Sequence, residues 1–301
     1  GSTDADATRE TIESVLGEHR RAGTVHIAPP GRLSAVATNA ARRAREMGSA
    51  VVAIGGDGTI NTVAHAAHTA GCPLGVIPGG TFNYFAREHG VPADMGDALR
   101  WLLEAQLTPV QIAAINEQRF LVNASVGLYP ELLQDRETWK ARFGRSRLVA
   151  MSAGMATLFG VHRHLRLSIE WEGRERIERT LTLFVGNNRL QLEQLGLADP
   201  ALPNARSATD GTLTAVLLKP ISRLAMAKLV LRGALGTLGD ADDIERLVCR
   251  RLVVRPPRGW TRQSITVAFD GEVRRMRLPL TIGVLPDPLW LLAGAPVDVS
   301  A

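Results

Sequence analysis

In the stretch Val51-Val52-Ala53-Ile54-Gly55-Gly56-Asp57-Gly58-Thr59, three glycines surround one carboxylate directly after an apolar, β-branched run. Glycine inside a regular element costs roughly 0.5–1 kcal/mol relative to alanine, so three within four positions imply that the backbone comes close to something. The residues that follow have helical spacing at Ile60, Val63 and Ala67, so the loop joins a strand end to a helix start. There the first backbone N–H groups are unpaired and the helix dipole favours an anion, and small glycines let a phosphate reach both. Asp57 would repel that phosphate unless a cation lay between them, which points to Mg2+ held directly or through water. The alternative is a tight strand-to-helix turn with Asp57 as its cap. The spacing is neither the Walker pattern, which needs Gly-Lys-Ser/Thr, nor the Rossmann Gly-x-Gly-x-x-Gly.

A second strand end repeats the design. In "PLGVIPGGTFNYFAREHGVP", Pro78-Gly79-Gly80-Thr81 ends a strand and Asn83 opens a helix. Two loops at the carboxyl ends of parallel strands line one crevice, the place where open α/β sheets bind ligands. His65 and His68 are read as surface or satisfied core histidines, and Cys72 as a small buried side chain. In "RETWKARFGRSRLVAM", Arg136 and Lys140 share a helical face, as do Trp139 and Phe143. Basic residues interleaved with aromatics suit a membrane interface, the alternative being a solvated helix that docks its aromatics on its own domain.

The elements that must position these residues change character along the chain. A polar helix near 4–21, a strand "TVHIAP", a helix over 32–48, the strand "SAVVAIGG", a helix over 59–70 and the strand "PLGVIPGG" alternate, which predicts a parallel sheet covered by helices. After about residue 108 the chain alternates apolar and polar residues, as in "HLRLSIEWEGRERIERTLTLFVGN" and "SITVAFDGEVRRMRLPLTIGVL". Turn signals at Glu172-Gly173 and Asp270-Gly271 predict antiparallel hairpins, and their number a β-sandwich. Helices are expected over about 130–160 and 221–238. The fold class is thus an α/β domain over 1–107 followed by a mainly β domain over 108–301, with the C-terminal tail free to return to the first.

Of the 301 residues 45% are hydrophobic, enough for one large core or two medium ones. No apolar run reaches about 18 residues, which argues against a spanning helix. The first ten residues lack the basic start and apolar centre of a signal peptide. Two cysteines, Cys72 and Cys249, make no disulfide framework and fit a reducing compartment. The net charge of +5 and pI near 9.8 suit either a composition bias or an anionic partner; no nucleic-acid motif is present.

Taken together and in order, "GGDGT", "PGGTFNYFAR", "ATDGTL" and "FDGE" resemble the diacylglycerol kinase catalytic family over nearly the whole chain. That family includes bacterial lipid kinases and is related to sphingosine and ceramide kinases. "GGDGT" alone is shared with NAD kinases and loosely with phosphofructokinases; the later motifs are more specific, and the Asn-Glu pair of NAD kinases is replaced by "GTFNYFAR". The resemblance implies that Gly55, Gly56, Asp57, Gly58, Thr59, Ile60 and Asn61 hold ATP phosphates, with Gly80, Thr81 and Asn83 completing the pocket. It implies that Asp57 orients Mg2+ through water, that Asp210 organises a cation site to which Ser207 and Thr212 add carbonyl oxygens, and that Glu272 is the general base. Phosphoryl transfer to an alcohol does need positioning, charge neutralisation and a proton acceptor. An ordinary type I′ hairpin turn is the alternative for "FDGE".

The implied activity is ATP-dependent transfer of the γ-phosphoryl group to a lipid hydroxyl, on diacylglycerol first and on a ceramide or sphingoid base second. A non-catalytic nucleotide-binding regulator is the rival reading. The expected partners are ATP, a membrane lipid and an anionic membrane surface, with no nucleic acid; a homodimer is left open. The expected location is cytoplasmic, peripheral at the membrane. Two positions depart from the family pattern. Tyr84 and Gln111 stand where many bacterial relatives carry aspartates, which puts their water-and-metal network in doubt. Relatives also begin with a strand carrying Asn-Pro-x-x-Gly, ahead of the point where this chain starts.

Overall fold

Unbroken apolar runs form the centre of the first sheet, as they do where helices cover both faces. The computed structural model describes residues 2–29, 31–127, 164–197, 211–221, 243–257, 259–260 and 263–294. The helices expected over 130–160 and beyond 221, the basic segment with Arg136 and Lys140, and Ser207 and Asp210 lie outside the described residues. The chain divides into two units, Gly1–Val110 with Asp287–Ala301, and Gln111–Pro286.

The first unit runs α1 (Ser2–Glu18), α2 (Leu33–Glu46), β1 (Val51–Gly55), α3 (Asp57–Ala70), β2 (Leu74–Pro78), α4 (Tyr84–Glu88), α5 (Met95–Leu103) and β3 (Gln106–Val110), with β16 (Leu289–Ala293) returning late. β1 and β2 pair in parallel, Val51 opposite Leu74 through Gly55 opposite Pro78, and every residue of β2 is buried. β16 lies between β2 and β3, giving the order β1-β2-β16-β3. The sheet is therefore not wholly parallel, because β16 runs antiparallel to β3. Helix α2 packs on α3 through Ala37, Ala41 and Ala44, whose small side chains allow close approach. The segment that leads into β16 is tied to α3 by His68, whose Nε2 lies 2.9 Å from the Asp287 carbonyl. Residues 21–29, expected to contain the strand "TVHIAP", form no regular element. Ile27 there is 52% exposed; strand propensity without a partner ladder or a buried face does not hold a strand.

The second unit contains β4 (Ala113–Ile115), β5 (Gln118–Phe120), β6 (Asn123–Gly127), β7 (Leu165–Trp171), β8 (Arg174–Thr180), β9 (Thr182–Gly186), α6 (Arg189–Gln194), β10 (Leu213–Leu218), β11 (Ile244–Cys249), β12 (Arg251–Arg255), β13 (Ser264–Phe269), β14 (Glu272–Arg277) and β15 (Leu280–Val284). The described strands form two antiparallel sheets, ordered β11-β10-β9-β6-β13-β14 and β5-β4-β15-β12-β7-β8. Alternate residues of both sheets, among them Phe120, Leu167, Ile169, Leu183, Val185, Leu213, Leu252, Val267 and Ile282, make one buried cluster, the core of a sandwich. Two hairpins turn as their sequences predict. Trp171 faces Arg174 and Phe269 faces Glu272, so each loop has two residues. Both loop residues have positive φ, 48° and 74° at Glu172-Gly173, 45° and 85° at Asp270-Gly271, the type I′ geometry that matches strand twist. Cys72 and Cys249 are buried and unpaired, and burial pushes the Cys249 thiol up to about 11. Among the described residues no helix is long and apolar enough to cross a membrane.

Candidate functional site

β1 ends at Gly55, and Gly56 caps α3 in extended conformation with no side-chain cap of its own. The neighbouring loop leaves β2 at Pro78, and Gly79 N–H donates to the Gly55 carbonyl at 2.8 Å, so the ladder continues past the strands. A Cβ on Gly80 would stand 2.6 Å from Gly56 Cα, and one on Gly79 would stand 3.1 Å from Gly55 Cα. Four of the glycines therefore answer to one another: the two loops touch backbone to backbone. Gly58 differs, since among the described residues nothing outside its own stretch of α3 lies within 4 Å of the Cβ it lacks. Of the three glycines around Asp57, it is the one that leaves room at the start of α3 for a group from outside.

Asp57 is the first residue of α3, and its Oδ2 accepts from the Asn83 N–H at 3.0 Å. Burial pushes its pKa above the usual carboxylate value, while the N–H groups of Asn83, Tyr84 and Phe85 and its own pull the other way. The other oxygen, Oδ1, is buried without a hydrogen-bond partner among the described residues, and so is Asn61 Oδ1 one helical turn further on. Asn83 sits at φ 49° and spends its amide on its own loop: Oδ1 accepts from Gly80 N–H and Nδ2 donates to the Gly80 carbonyl, each at 2.9 Å. Thr81 is exposed, Thr59 leans over Gly55, and Ile60 is wholly buried beneath the loop. Tyr84, in place of an aspartate, stacks on the exposed Phe82 with ring centroids 5.7 Å apart. No cluster of three His, Cys, Asp or Glu able to hold a metal occurs among the described residues.

In the second unit Glu272 opens β14 and is exposed. Its Oε2 accepts from Arg274 Nη2 at 3.1 Å; Arg274 Nη1 donates to Gln118 Oε1 at 3.1 Å, and the guanidinium lies 5.5 Å over the Phe269 ring. An exposed pair of this kind contributes about 0–1 kcal/mol, enough to orient the carboxylate rather than lock it.

Sequence reasoning took Asp270 for a turn residue only. It is 7% exposed, and its carboxylate accepts three consecutive backbone N–H groups, Leu121 at 2.7 Å on Oδ2 and Val122 and Asn123 at 2.9 and 3.0 Å on Oδ1. The signal in sequence was an Asp where the turn needs positive φ; its partners lie far away along the chain. Asn123 in turn donates from Nδ2 to Gln191 Oε1 at 2.9 Å. The Thr212 backbone carbonyl accepts from Gln111 Nε2 at 2.9 Å. Of the residues singled out from sequence, Gly55, Gly56, Asp57, Gly80 and Asn83 are thus knitted together in the first unit. Glu272 and Thr212 belong to the second.

The model of the diacylglycerol kinase catalytic domain matches residues 1–115. A protein of Pseudomonas aeruginosa (strain UCBPP-PA14) named probable lipid kinase YegS-like is 31% identical over 263 residues, covering 82% of this chain and 78% of that protein. The diacylglycerol kinase of Bacillus subtilis (strain 168) is 31% identical over 237 residues, covering 75% and 74%. A solved diacylglycerol kinase structure from Bacillus anthracis str. Sterne matches the fold with TM-score 0.64 at 19% identity, over 96% of this chain and 91% of that one. Another structure from that strain reaches TM-score 0.73 at 22% identity, over 98% and 92%. With an α/β unit that carries two apposed glycine loops and a β-sandwich unit that carries an Asp-Gly-Glu hairpin, the chain belongs to the diacylglycerol kinase catalytic family. It is a lipid kinase.

Proposed function

We propose that the chain transfers the γ-phosphoryl group of Mg-ATP to the free hydroxyl of diacylglycerol, giving phosphatidic acid. The observation that carries the nucleotide half is the space over Gly58, open among the described residues, beside an Asp57 Oδ1 that has no hydrogen-bond partner among them, at the start of a 14-residue helix. A phosphate fits there on backbone N–H groups and the helix dipole. Mg2+ binds through one or two carboxylates plus phosphate oxygens and water, so one buried anionic oxygen from Asp57 suits it, and it supplies charge neutralisation on the β- and γ-phosphates. Asp57 holds Asn83 with one oxygen and keeps the other for the metal or its water. Thr81 and the backbone of Gly80 extend the cradle.

Glu272 takes the proton of the acceptor hydroxyl as its oxygen attacks the γ-phosphorus. The new P–O bond forms, the bond to the β-bridging oxygen breaks, and ADP leaves. The exposed Glu272 carboxylate, with one guanidinium partner among the described residues, suits that role, because it leaves lone pairs for an acceptor hydroxyl. The preference for diacylglycerol follows the Bacillus subtilis relative's name. The high pI supports an anionic membrane as the surface on which the lipid is met.

The test is consumption of ATP with vesicles or micelles that carry diacylglycerol, ceramide or a sphingoid base, each with and without Mg2+. Mg2+-dependent phosphatidic acid formation is expected, and its loss in a folded Asp57→Asn variant. Turnover on ceramide alone would refute the acceptor. Turnover with no divalent ion would refute the part given to Asp57.

A further inference from the structure

Phe82 and Tyr84 flank Asn83, whose φ of 49° reverses the chain and lays the two rings side by side, with centroids 5.7 Å and planes 5° apart. That is an ordinary separation for an offset aromatic stack. Tyr84 is half-buried, whereas Phe82 stays 46% exposed, resting one side of its ring on Tyr84. The turn that carries Phe82 has little freedom. Gly80 and Asn83 exchange two hydrogen bonds of 2.9 Å. The Asn83 N–H donates to Asp57 Oδ2 at 3.0 Å, and Arg87 Nη1 donates to the Phe82 carbonyl at 3.5 Å. Single exposed apolar side chains are common on protein surfaces. This one is backed by a second ring and fixed in a pinned turn, one residue from the amide that Asp57 grips.

A flat apolar ring holds no phosphate, so the base and the acceptor are the parts of the reactants left for it. The base is separated from the γ-phosphoryl group by two phosphates and a ribose. The acceptor must bring its hydroxyl to the γ-phosphorus itself. With Asp57 serving a metal between the β- and γ-phosphates, the residue beside Asn83 lies at the acceptor end. In a lipid alcohol the apolar groups follow within a few bonds of the hydroxyl, so they enter the site with it.

We propose that the Phe82–Tyr84 ring pair is a platform for the apolar part of the lipid acceptor next to its hydroxyl, an assignment that rests on the role given to Asp57 above. Phe82 makes the contact, and Tyr84 is a positioning residue behind it. Covering the Phe82 ring removes apolar surface from water when the acceptor is a lipid and does so far less when it is a small hydrophilic alcohol. The pair therefore selects for lipid alcohols at the nucleotide loop.

Kinetics of the full chain with Mg-ATP and diacylglycerol in mixed micelles test it. Phe82→Ala is expected to raise KM for diacylglycerol about tenfold, with kcat and ATP affinity within about twofold of the parent. Phe82→Leu keeps an apolar surface and should stay within about threefold of the parent KM. Tyr84→Ala, which removes the support alone, should fall between the two. A loss of ATP affinity at unchanged KM would make the ring a base platform, and a loss of kcat at unchanged KM would make it part of the turn only; either overturns the proposal. A second readout needs no turnover. In Phe82→Trp, diacylglycerol brominated in its acyl chains is expected to quench fluorescence beyond the quenching seen in the parent, and brominated phosphatidylcholine to quench it less. No excess over the parent overturns the proposal, and so does equal quenching by the two lipids, which would leave a general membrane anchor. If the parent phosphorylates no diacylglycerol, the proposed activity fails by itself, and the quenching arm still decides the platform.

Discussion

Replacing Asp270 by asparagine isolates the hydrogen bonds that hold the Glu272 hairpin. Asparagine tolerates φ near +45° as well as aspartate does, so the type I′ turn itself is not strained. It keeps one oxygen, which can go on accepting from Val122 and Asn123. Its NH2 then faces the Leu121 N–H across what is a 2.7 Å hydrogen bond in the parent, donor against donor. The loss of one hydrogen bond to a charged acceptor and the stranding of a buried N–H together cost about 2–4 kcal/mol. Asp270→Gly relieves the positive φ but leaves three buried N–H groups unpaired, so it is expected to cost more than asparagine does. Against a total of about 5–15 kcal/mol for a typical domain these are large changes. Urea unfolding with an unchanged slope reads them as midpoint shifts. On the proposed mechanism turnover should fall with the displaced hairpin, while ATP binding, which that proposal places on the first unit, should not. An Asp270→Asn protein within about 0.5 kcal/mol of the parent would refute the view that this carboxylate fastens the turn.

Glu272→Gln should fold like the parent, bind ATP with unchanged affinity and lose about 10²–10⁴-fold in turnover, as measured by single-turnover phosphorylation of diacylglycerol; activity within a few-fold of the parent would leave an ordinary hairpin turn. Gly80→Ala forces a Cβ to 2.6 Å from Gly56 Cα and should lose about 1–3 kcal/mol in urea unfolding. Gly58→Ala meets open space and should unfold no earlier than the parent, yet bind ATP more weakly in calorimetry. His89, packed edge-on against Phe85, has its pKa lowered by burial to about 4, so the unfolded chain binds its proton first as pH falls. Stability is therefore whole above pH 6.5 and declines towards pH 4, by at most about 2 kcal/mol between pH 7 and 5, and a His89→Leu variant should lack that share of the decline.

The local geometry was legible because it depends on which φ and ψ a residue tolerates. Glu172-Gly173 and Asp270-Gly271 announce two-residue hairpins by themselves, and Gly55 to Thr59 announce a strand that turns into a helix. Alternation over 165–180 and 264–277 gives the inner and outer faces of sandwich strands. The order of four motifs was enough for the family.

What the residue types could not say was which distant segment each group would meet. "TVHIAP" has the composition of a strand but finds no partner ladder. The glycines of two separate loops prove to be each other's close approach, a fact set by the parallel pairing of β1 and β2. β16 enters the first sheet between β2 and β3 only after the whole second unit has been traversed. Asp270 and Gln111 read as a turn residue and a lost carboxylate; their acceptors and donors come from Leu121–Asn123, Asn187 and Thr212. Backbone preference is written residue by residue, so the sequence determined the turns, the helix starts and the faces of the strands. Buried hydrogen bonds between segments far apart exist only once the core has closed around them, so the tertiary structure alone decided what those turns are fastened to.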